Sequence, residues 1–386
     1  MKARSRGSQN LARMELHFPD LEYDCLCCGK GCRQDWKIPV EARVLAGIQN
    51  SSAAAAVGRR GYVPLEELGG GSVLLGRTEE RSCVFLREDH LCAIHAEAGY
   101  QAKPLQCRQF PFLPVSTPSG IYVGLSFLCT AVQRRHGRPV EGHREQVRSL
   151  VEELAAKLGG ARSGEMEIPV SPECSVDWNG YLLLEQFVQR RLEEPNLRAG
   201  LSRAAVALSR LAGPGDPESV PTSADPELLE ELTSLFQASL VGLVETDVPE
   251  ERPGISRGVL NGEPVYSRRL DESVDCSGVH AEVTMLGHPG WLQDEYRRYL
   301  SHLVFRKFLI QGPTVQARTC TLLVLLSLLD FYLVLSMKRA GRQFPEPEDL
   351  WSALDVLEGD VVTHASGMER IFGLLGETFR QQLTAG

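Results

Sequence analysis

The stretch DCLCCGKGCRQDWKIP, residues 24–39, places four cysteines within eight positions: Cys25, Cys27, Cys28 and Cys32. Thiolates are soft ligands that suit zinc and iron–sulfur clusters, and two or three residues between cysteines let one turn direct their sulfurs at one centre. The spacing Cys25-x2-Cys28-x3-Cys32 meets this requirement, and the two intervening glycines let the backbone wrap. Cys27 falls out of step and is expected to point away.

More cysteines follow on separate short segments. Cys83, Cys92 and Cys107 lie in CVFLREDHLCAIHAEAGYQAKPLQCRQFPF, and a predicted strand over residues 120–129 ends at Cys129. Clustered thiols in a chain without an export signal more often hold metal than form disulfides. The predicted metal ligands are Cys25, Cys28, Cys32, Cys83, Cys92, Cys107 and Cys129.

The remaining cysteines have a different distribution. Cys174, Cys276 and Cys320 are isolated in the rest of the chain, and we expect them to be small core residues.

The spread of the N-terminal cysteines bears on the choice of metal. Zinc modules usually carry two CxxC pairs, whereas this chain has one such pair and distributed cysteines among apolar residues. This favours an iron–sulfur cluster, such as a 4Fe-4S cluster, with zinc as the alternative. A cluster held by three cysteines would leave one iron open to a small molecule such as S-adenosylmethionine.

Composition limits the function classes. The chain has 386 residues, is 43% hydrophobic and carries a formal charge of −9, which argues against nucleic acid as a partner. The first sixteen residues contain no apolar leader, so the expected location is the cytoplasm. The oligomeric state is left open.

One apolar run, residues 321–337, is at the short limit for a membrane span and contains Asp330. We predict a buried core helix and no membrane span, with Asp330 facing a partner such as an arginine.

The pattern along the chain predicts a mainly α fold. A flexible N-terminus (1–16) precedes an irregular cysteine-rich metal-binding module (17–140), and an α-helical domain follows (141–386). Within that domain, apolar residues three and four apart mark successive helices. A linker is predicted near 213–225 and an irregular insert near 249–290.

Three motifs suggest a family. YDCLCCGKGC, CVFL-x4-LCAIH and KPLQCRQFPF resemble the YkgJ-type cysteine-cluster proteins, described as zinc- or iron-chelating. Trp36 after the first motif, the length of the helical domain and RYLSHLVFRKFL, with Arg306, make the chain more similar to the flagellin lysine-N-methylase branch. The resemblance implies methyl transfer from S-adenosylmethionine to a lysine of a protein such as flagellin. Gly31 stands where the family has the first of two adjacent cysteines, which puts the family's ligand scheme in doubt here.

Two functions of different classes therefore remain open. The first is a lysine N-methyltransferase with a lysine-sized, aromatic-lined pocket near the cysteines, although the chain has no glycine-rich strand–turn–helix motif for the cofactor. Tyr296, Tyr299 and Arg306 are candidates to line its site. The second is a non-enzymatic zinc- or iron-binding protein whose helical domain binds a partner.

Overall fold

The computed structural model of the chain describes residues 14–68, 70–154, 166–211, 213, 215–267, 271–276, 289–363 and 368–384. Its secondary structure is mainly α-helical, as predicted. The chain divides into two compact units, Met1–Arg162 and Ser163–Gly386.

Short strands and short helices make up the first unit. Its strands are β1 Leu16–His17, β2 Glu22–Tyr23, β3 Leu65–Leu68, β4 Ser72–Leu75, β5 Phe112–Thr117, β6 Gly120–Leu125 and β7 Arg138–Pro139. Its helices are α1 Ala42–Gln49, α2 Ser52–Arg59, α3 Ala93–Ala98, α4 Leu105–Gln109, α5 Thr130–Gln133 and α6 Arg144–Leu154.

The sheet pairings join distant parts of this unit. A three-stranded sheet has the order β1-β6-β5, with β1 parallel to β6 and β5 antiparallel to it. Strand β2 pairs with β7, so the segment before the first cysteine lies beside the segment that follows Cys129. Strands β3 and β4 form a separate hairpin.

Helices α1 and α2 show why local pattern suffices for these elements. Val44 and Ile48 of α1 are buried on one face, as their spacing predicts. Ser51 caps α2 by accepting a hydrogen bond from the backbone N–H of Ala54 at 3.0 Å. Both helices contribute to an apolar core that also contains Val84 and Phe85.

The boundary between the units lies later than the expected residue 140. Helix α6 was expected to begin the second domain, but it belongs to the first unit and packs against α4. Arg108 on α4 is 2% exposed and donates two hydrogen bonds to the carboxylate of Glu153 on α6, at 2.8 and 2.6 Å. This pairing attaches α6 to the cysteine-containing unit.

The second unit is helical. Its helices are α7 Trp178–Leu192, α8 Leu197–Arg210, α9 Pro226–Glu245, α10 Arg252–Asn261, α11 Gly290–Phe305, α12 Val315–Arg339, α13 Pro347–Val356 and α14 Glu369–Thr384. Two small hairpins accompany them, β8 Ile168–Ser171 with β9 Cys174–Val176, and β10 Val265–Ser267 with β11 Glu272–Val274. A π-helical turn, Leu357–Val362, follows α13.

Helix α12 is the central element of the second unit. By length and composition alone it could cross a membrane, yet 94% of its most apolar window is buried inside the structure. Asp330 lies within it, fully buried, and accepts hydrogen bonds from Arg198 Nη2 at 2.7 Å and from the Tyr296 hydroxyl at 3.0 Å. The predicted arginine partner is therefore Arg198.

The expectation of an irregular insert near 249–290 needs correction. Residues 249–290 contain helix α10, which the sequence pattern missed because Pro253, Gly254 and Gly258 interrupt its apolar face. This helix packs closely on α9, where a Cβ on Gly242 would lie 2.4 Å from Ser256 Oγ. Positions 268–270 and 277–288 of the predicted insert lie outside the described residues.

The predicted N-terminal tail and the predicted linker both contain a short ordered element. Positions 1–13 of the tail lie outside the described residues, but Leu16 is buried in β1. In the linker segment 213–225, Pro217–Ser219 forms a short 3-10 turn between α8 and α9.

Candidate metal centre

All eight N-terminal cysteines line one cavity of about 750 Å³ in the first unit. They comprise the seven predicted ligands and Cys27: Cys25, Cys27, Cys28, Cys32, Cys83, Cys92, Cys107 and Cys129. None of them forms a disulfide. The structure therefore brings every predicted ligand to the same place.

Four of these residues, Cys25, Cys27, Cys28 and Cys129, form a first group at the start of helix α5. The backbone N–H of Cys27 donates to Cys25 Sγ at 3.4 Å, and Cys28 Sγ donates to the hydroxyl of Thr130 at 3.7 Å. Cys129 directly precedes α5. The pairing of β2 with β7 holds the two segments side by side, because Cys25 follows β2 closely and α5 precedes β7.

Cys27 was expected to point away from the other cysteines, but it lines the same cavity. It has a left-handed backbone, with φ of +51°, and its side chain is exposed, but it lines the cavity beside Cys25. An L-residue adopts this conformation at a cost, which is often associated with functional sites. The left-handed backbone at Cys27 lets this cysteine reach the cavity although it falls out of step with Cys25 and Cys28.

The other four residues, Cys32, Cys83, Cys92 and Cys107, form a second group against the apolar core. Cys83 belongs to that core, and the other three pack on it. The backbone N–H of Cys83 donates to the carbonyl oxygen of Cys32 at 2.8 Å. A β-bridge joins Leu86 to Cys92, and Cys107 is carried on α4.

Gly29 is required where the first turn meets the second cysteine segment. Its φ is +68°, and a Cβ there would lie 2.9 Å from Leu86 Cδ1 and 3.2 Å from the carbonyl oxygen of His90. Only glycine combines that conformation with so close an approach at no steric cost. Arg33 links the same two segments, donating to the Cys28 carbonyl at 2.8 Å and lying 2.6 Å from His90 Nδ1.

Burial raises the pKa of several cysteines. It raises the pKa of Cys83 to about 12 and that of Cys129 to about 11, and it also raises the pKa of Cys107 and of Cys32. Free thiols with such values are protonated at neutral pH and react slowly as nucleophiles. A bound metal would have to displace these protons, since thiolates are the ligands.

One lysine opposes this effect. The positive charge of Lys103 lowers the pKa of Cys107 and of Cys32, against the larger effect of burial, and it acts in the same direction on Cys27. Its ammonium lies 5.5 Å from the centre of the Tyr100 ring, and both residues line the cavity. Lys103 therefore supplies positive charge to both groups of thiols.

The spacing of the thiols bears on whether a single ion or a cluster would fit the cavity. In the described part of the chain, no three His, Cys, Asp or Glu side chains stand close enough together to hold one metal ion. Four thiolates around one zinc must place their sulfurs about 3.8 Å apart, given Zn–S bonds of about 2.3 Å. A cluster of several irons is larger than one ion, so widely spaced thiols lined by apolar residues fit it better.

Aromatic residues line the same cavity. Trp36 and Phe110 lie with ring centroids 5.4 Å apart, and Tyr23 and Tyr100 also contribute. The sequence pattern did not identify Lys103, Tyr100 or Thr130, although each lies within seven residues of a cysteine in the printed sequence. A volume of about 750 Å³ is within the range of about 300–1,000 Å³ that is usual for small-molecule sites.

Tyr296, Tyr299 and Arg306, the candidates to line a methyltransferase site, lie in the second unit. Tyr296 and Tyr299 are fully buried, and their hydroxyls bind Asp330 and Glu358, each at 3.0 Å. Arg306 is also buried and lies 3.3 Å from Glu358. These residues belong to buried polar networks of the helical unit.

The isolated cysteines are buried, as predicted. Cys174, Cys276 and Cys320 all lie inside the second unit.

Comparison with known proteins gives one distant relative. An uncharacterised protein from Methanocaldococcus jannaschii is 29% identical over 99 residues, which cover 25% of this chain and 32% of that protein. The matched stretch therefore spans about a third of the relative. The chain matches no protein-family profile, and no solved structure matches it significantly.

Proposed function

We propose that this chain is an iron–sulfur protein whose cluster is held in the cysteine-lined cavity. One observation carries the proposal: eight cysteines from five segments of the first unit line a single cavity and remain free thiols. Thiols that serve only as core residues have no reason to converge in this way. The reducing cytoplasm would keep them available for metal.

The chain's own residues suit this role. Apolar neighbours such as Val84, Phe85 and Ile94 would shield the sulfurs from water, and Lys103 would balance the negative charge of thiolates and sulfides. When bound, a cluster supplies electron transfer or an open iron for a small ligand. Zinc is the alternative occupant.

The test of this proposal is anaerobic purification followed by analysis of iron, acid-labile sulfide and zinc, with a visible absorption spectrum. Brown protein that contains iron and sulfide, and whose iron and sulfide content falls in Cys28→Ala but not in Cys174→Ala, supports it. A colourless protein with stoichiometric zinc would replace the cluster by a zinc site. A protein without any metal would remove both.

A second proposal concerns catalysis. The aromatic lining of Trp36, Phe110 and Tyr100 next to the cysteines is the kind of pocket that a lysine side chain and S-adenosylmethionine require. In such a reaction the neutral lysine amine attacks the sulfonium methyl, the carbon–sulfur bond breaks, and the amine then loses a proton. The pocket supports a protein-lysine N-methyltransferase over a purely structural metal protein, and a flagellin-like substrate is what the sequence resemblance implies.

Methyl transfer is tested with radiolabelled S-adenosylmethionine and flagellin. Trp36→Ala should reduce labelling of lysine while the metal content is retained, because Trp36 lines the cavity. Trp291→Ala, at a 37% exposed tryptophan of the second unit, is the matched control. Metal-loaded protein that transfers no methyl group to flagellin would leave the non-enzymatic alternative, in which the helical unit binds a protein partner.

A further inference from the structure

Eight thiols in one cavity exceed what one centre can use. A four-iron cluster takes four protein ligands, and so does a structural zinc ion. We propose that the cavity holds two separate metal centres, one on Cys25, Cys27, Cys28 and Cys129 and one on Cys32, Cys83, Cys92 and Cys107. The inference rests on the proposed metal-binding function and assigns its ligands.

The first group is assembled by contacts of its own. Cys28 Sγ reaches Thr130, the residue after Cys129, and Lys30 Nζ donates to Gln133 of α5 at 3.2 Å. The backbone N–H of Asp24 donates to the carbonyl oxygen of His136 at 2.8 Å. The cysteine turn is thereby attached to α5 and β7, and its link to the segment that carries Cys92 is made by Arg33, which donates to the Cys28 carbonyl oxygen and lies beside His90.

The second group is assembled by the apolar core. Cys32, Cys92 and Cys107 pack against the same buried cluster that contains Cys83, whereas the four cysteines of the first group are not part of it. The hydrogen bond from Cys83 to Cys32 and the bridge at Cys92 fix three of the four backbones. The chain therefore changes from one group to the other between Cys28 and Cys32.

The two centres would differ in access to solvent. In the first group Cys129 is buried but Cys25 and Cys27 are exposed, whereas in the second group Cys83 is buried and its three partners are half-buried against the core. Exposure makes a cluster more accessible to oxygen and chelators. The first centre should be lost before the second.

The deciding experiment counts metal in the full-length chain after anaerobic reconstitution. The wild type should hold about eight irons and eight sulfides, and the pair Cys25→Ala/Cys28→Ala should retain about four of each, as one intact cluster by Mössbauer spectroscopy. Cys92→Ala/Cys107→Ala should lose the second centre and likewise retain about four irons and four sulfides. Cys174→Ala, a buried cysteine of the second unit, should lose none.

The outcomes separate this inference from the function on which it rests. A wild type with one centre, lost completely in either pair of substitutions, overturns the two-centre assignment and leaves the iron–sulfur proposal standing. Two zinc ions per chain would overturn the iron–sulfur proposal and support the two-centre assignment. The Cys92→Ala/Cys107→Ala variant could fail to fold because it alters the core. The Cys25→Ala/Cys28→Ala variant then still distinguishes one centre from two, because Cys25 is exposed and Cys28 is only half-buried.

Discussion

Cys83 donates its backbone N–H to the carbonyl oxygen of Cys32 at 2.8 Å, so two cysteines far apart in the chain lie side by side. The bond is formed by the backbone and does not depend on a metal. It closes the long loop that contains α1, α2 and the β3–β4 hairpin. The cavity is therefore partly preorganised before any metal binds.

Gly29→Ala should destabilise the first unit by about 1–3 kcal/mol, because alanine would have to adopt a φ of +68° and approach Leu86 closely. We expect a lower urea midpoint and reduced metal uptake. The control is Gly58→Ala in α2, where a Cβ meets open space and should add about 0.5–1 kcal/mol of stability. Equal effects at the two glycines would contradict the prediction.

Glu153→Gln should lower the stability of the first unit by about 1–2 kcal/mol, since buried Arg108 would lose its carboxylate partner. Glu141→Gln, which breaks the exposed pair with Arg144, should change it by less than about 0.5 kcal/mol. Chemical denaturation of both variants checks this.

The ion pair of Arg108 with Glu153 predicts that the stability of the first unit depends on pH. The Arg108 guanidinium holds the pKa of Glu153 below its ordinary value of 4.5. A carboxyl group with a depressed pKa contributes stability that is present above its unfolded value and is lost as pH falls through its folded value. Wild type should therefore lose more stability than Glu153→Gln on acidification from pH 5 to pH 3, and parallel curves would show that the pair contributes nothing.

Asp330→Ala should cost about 2 kcal/mol, because the buried Tyr296 hydroxyl loses its carboxylate acceptor and the partly exposed Arg198 loses its partner. Asp294→Ala, at a carboxylate that is 70% exposed and pairs with Arg297, is the matched control and should cost less than about 0.5 kcal/mol. The measurement is the denaturant midpoint of the second unit. A midpoint that moves equally in both variants would argue against a stabilising role for the buried carboxylate of Asp330 in α12.

Alkylation of the metal-free chain should proceed in the order of exposure. Cys25 and Cys27 are exposed and should react with iodoacetamide first, whereas Cys83, Cys129 and Cys320 are buried and should react last. Peptide mass spectrometry over time follows each site. Metal loading should slow the reaction at Cys25, and an unchanged rate there would show that it is not a ligand.

Lys103→Gln should lower the reduction potential of a bound cluster by on the order of tens of millivolts, because a positive charge near the thiolates favours the reduced state. Lys103→Arg should change it little. Lys37→Gln removes an exposed lysine of the same unit and is the second control. Protein-film voltammetry measures all three, and a potential that is insensitive to Lys103→Gln would contradict the role assigned to its charge.

Local pattern predicted much of the fold. Helix α9 begins where Asp225 caps it, with its side chain accepting from the backbone N–H of Glu227 at 3.0 Å, and Pro226 at the first position. The continuous apolar run at residues 321–337 likewise predicted the buried helix α12. These features depend only on residues close together in the sequence, so they can be predicted without knowledge of the tertiary fold.

Features that depend on distant residues could not be predicted in this way. The attachment of α6 to the first unit rests on Arg108 and Glu153, which no short motif connects. The cysteine spacing indicated a metal site but not its division into groups, because Cys129 joins Cys25 and Cys28 through the pairing of β2 with β7. The left-handed turn at Cys27 likewise emerges only when the cavity is assembled.

The packing of Cys83 and its partners against the apolar core has a consequence for the life of the protein in the cell. The thiols that would bind metal are part of the surface on which α1 and α2 rest, so bound metal would add stability to a unit that is already folded without it. Chains made during iron shortage would unfold more often and be removed by proteases. The amount of this protein in a cell would then follow the iron supply without any change in its transcription.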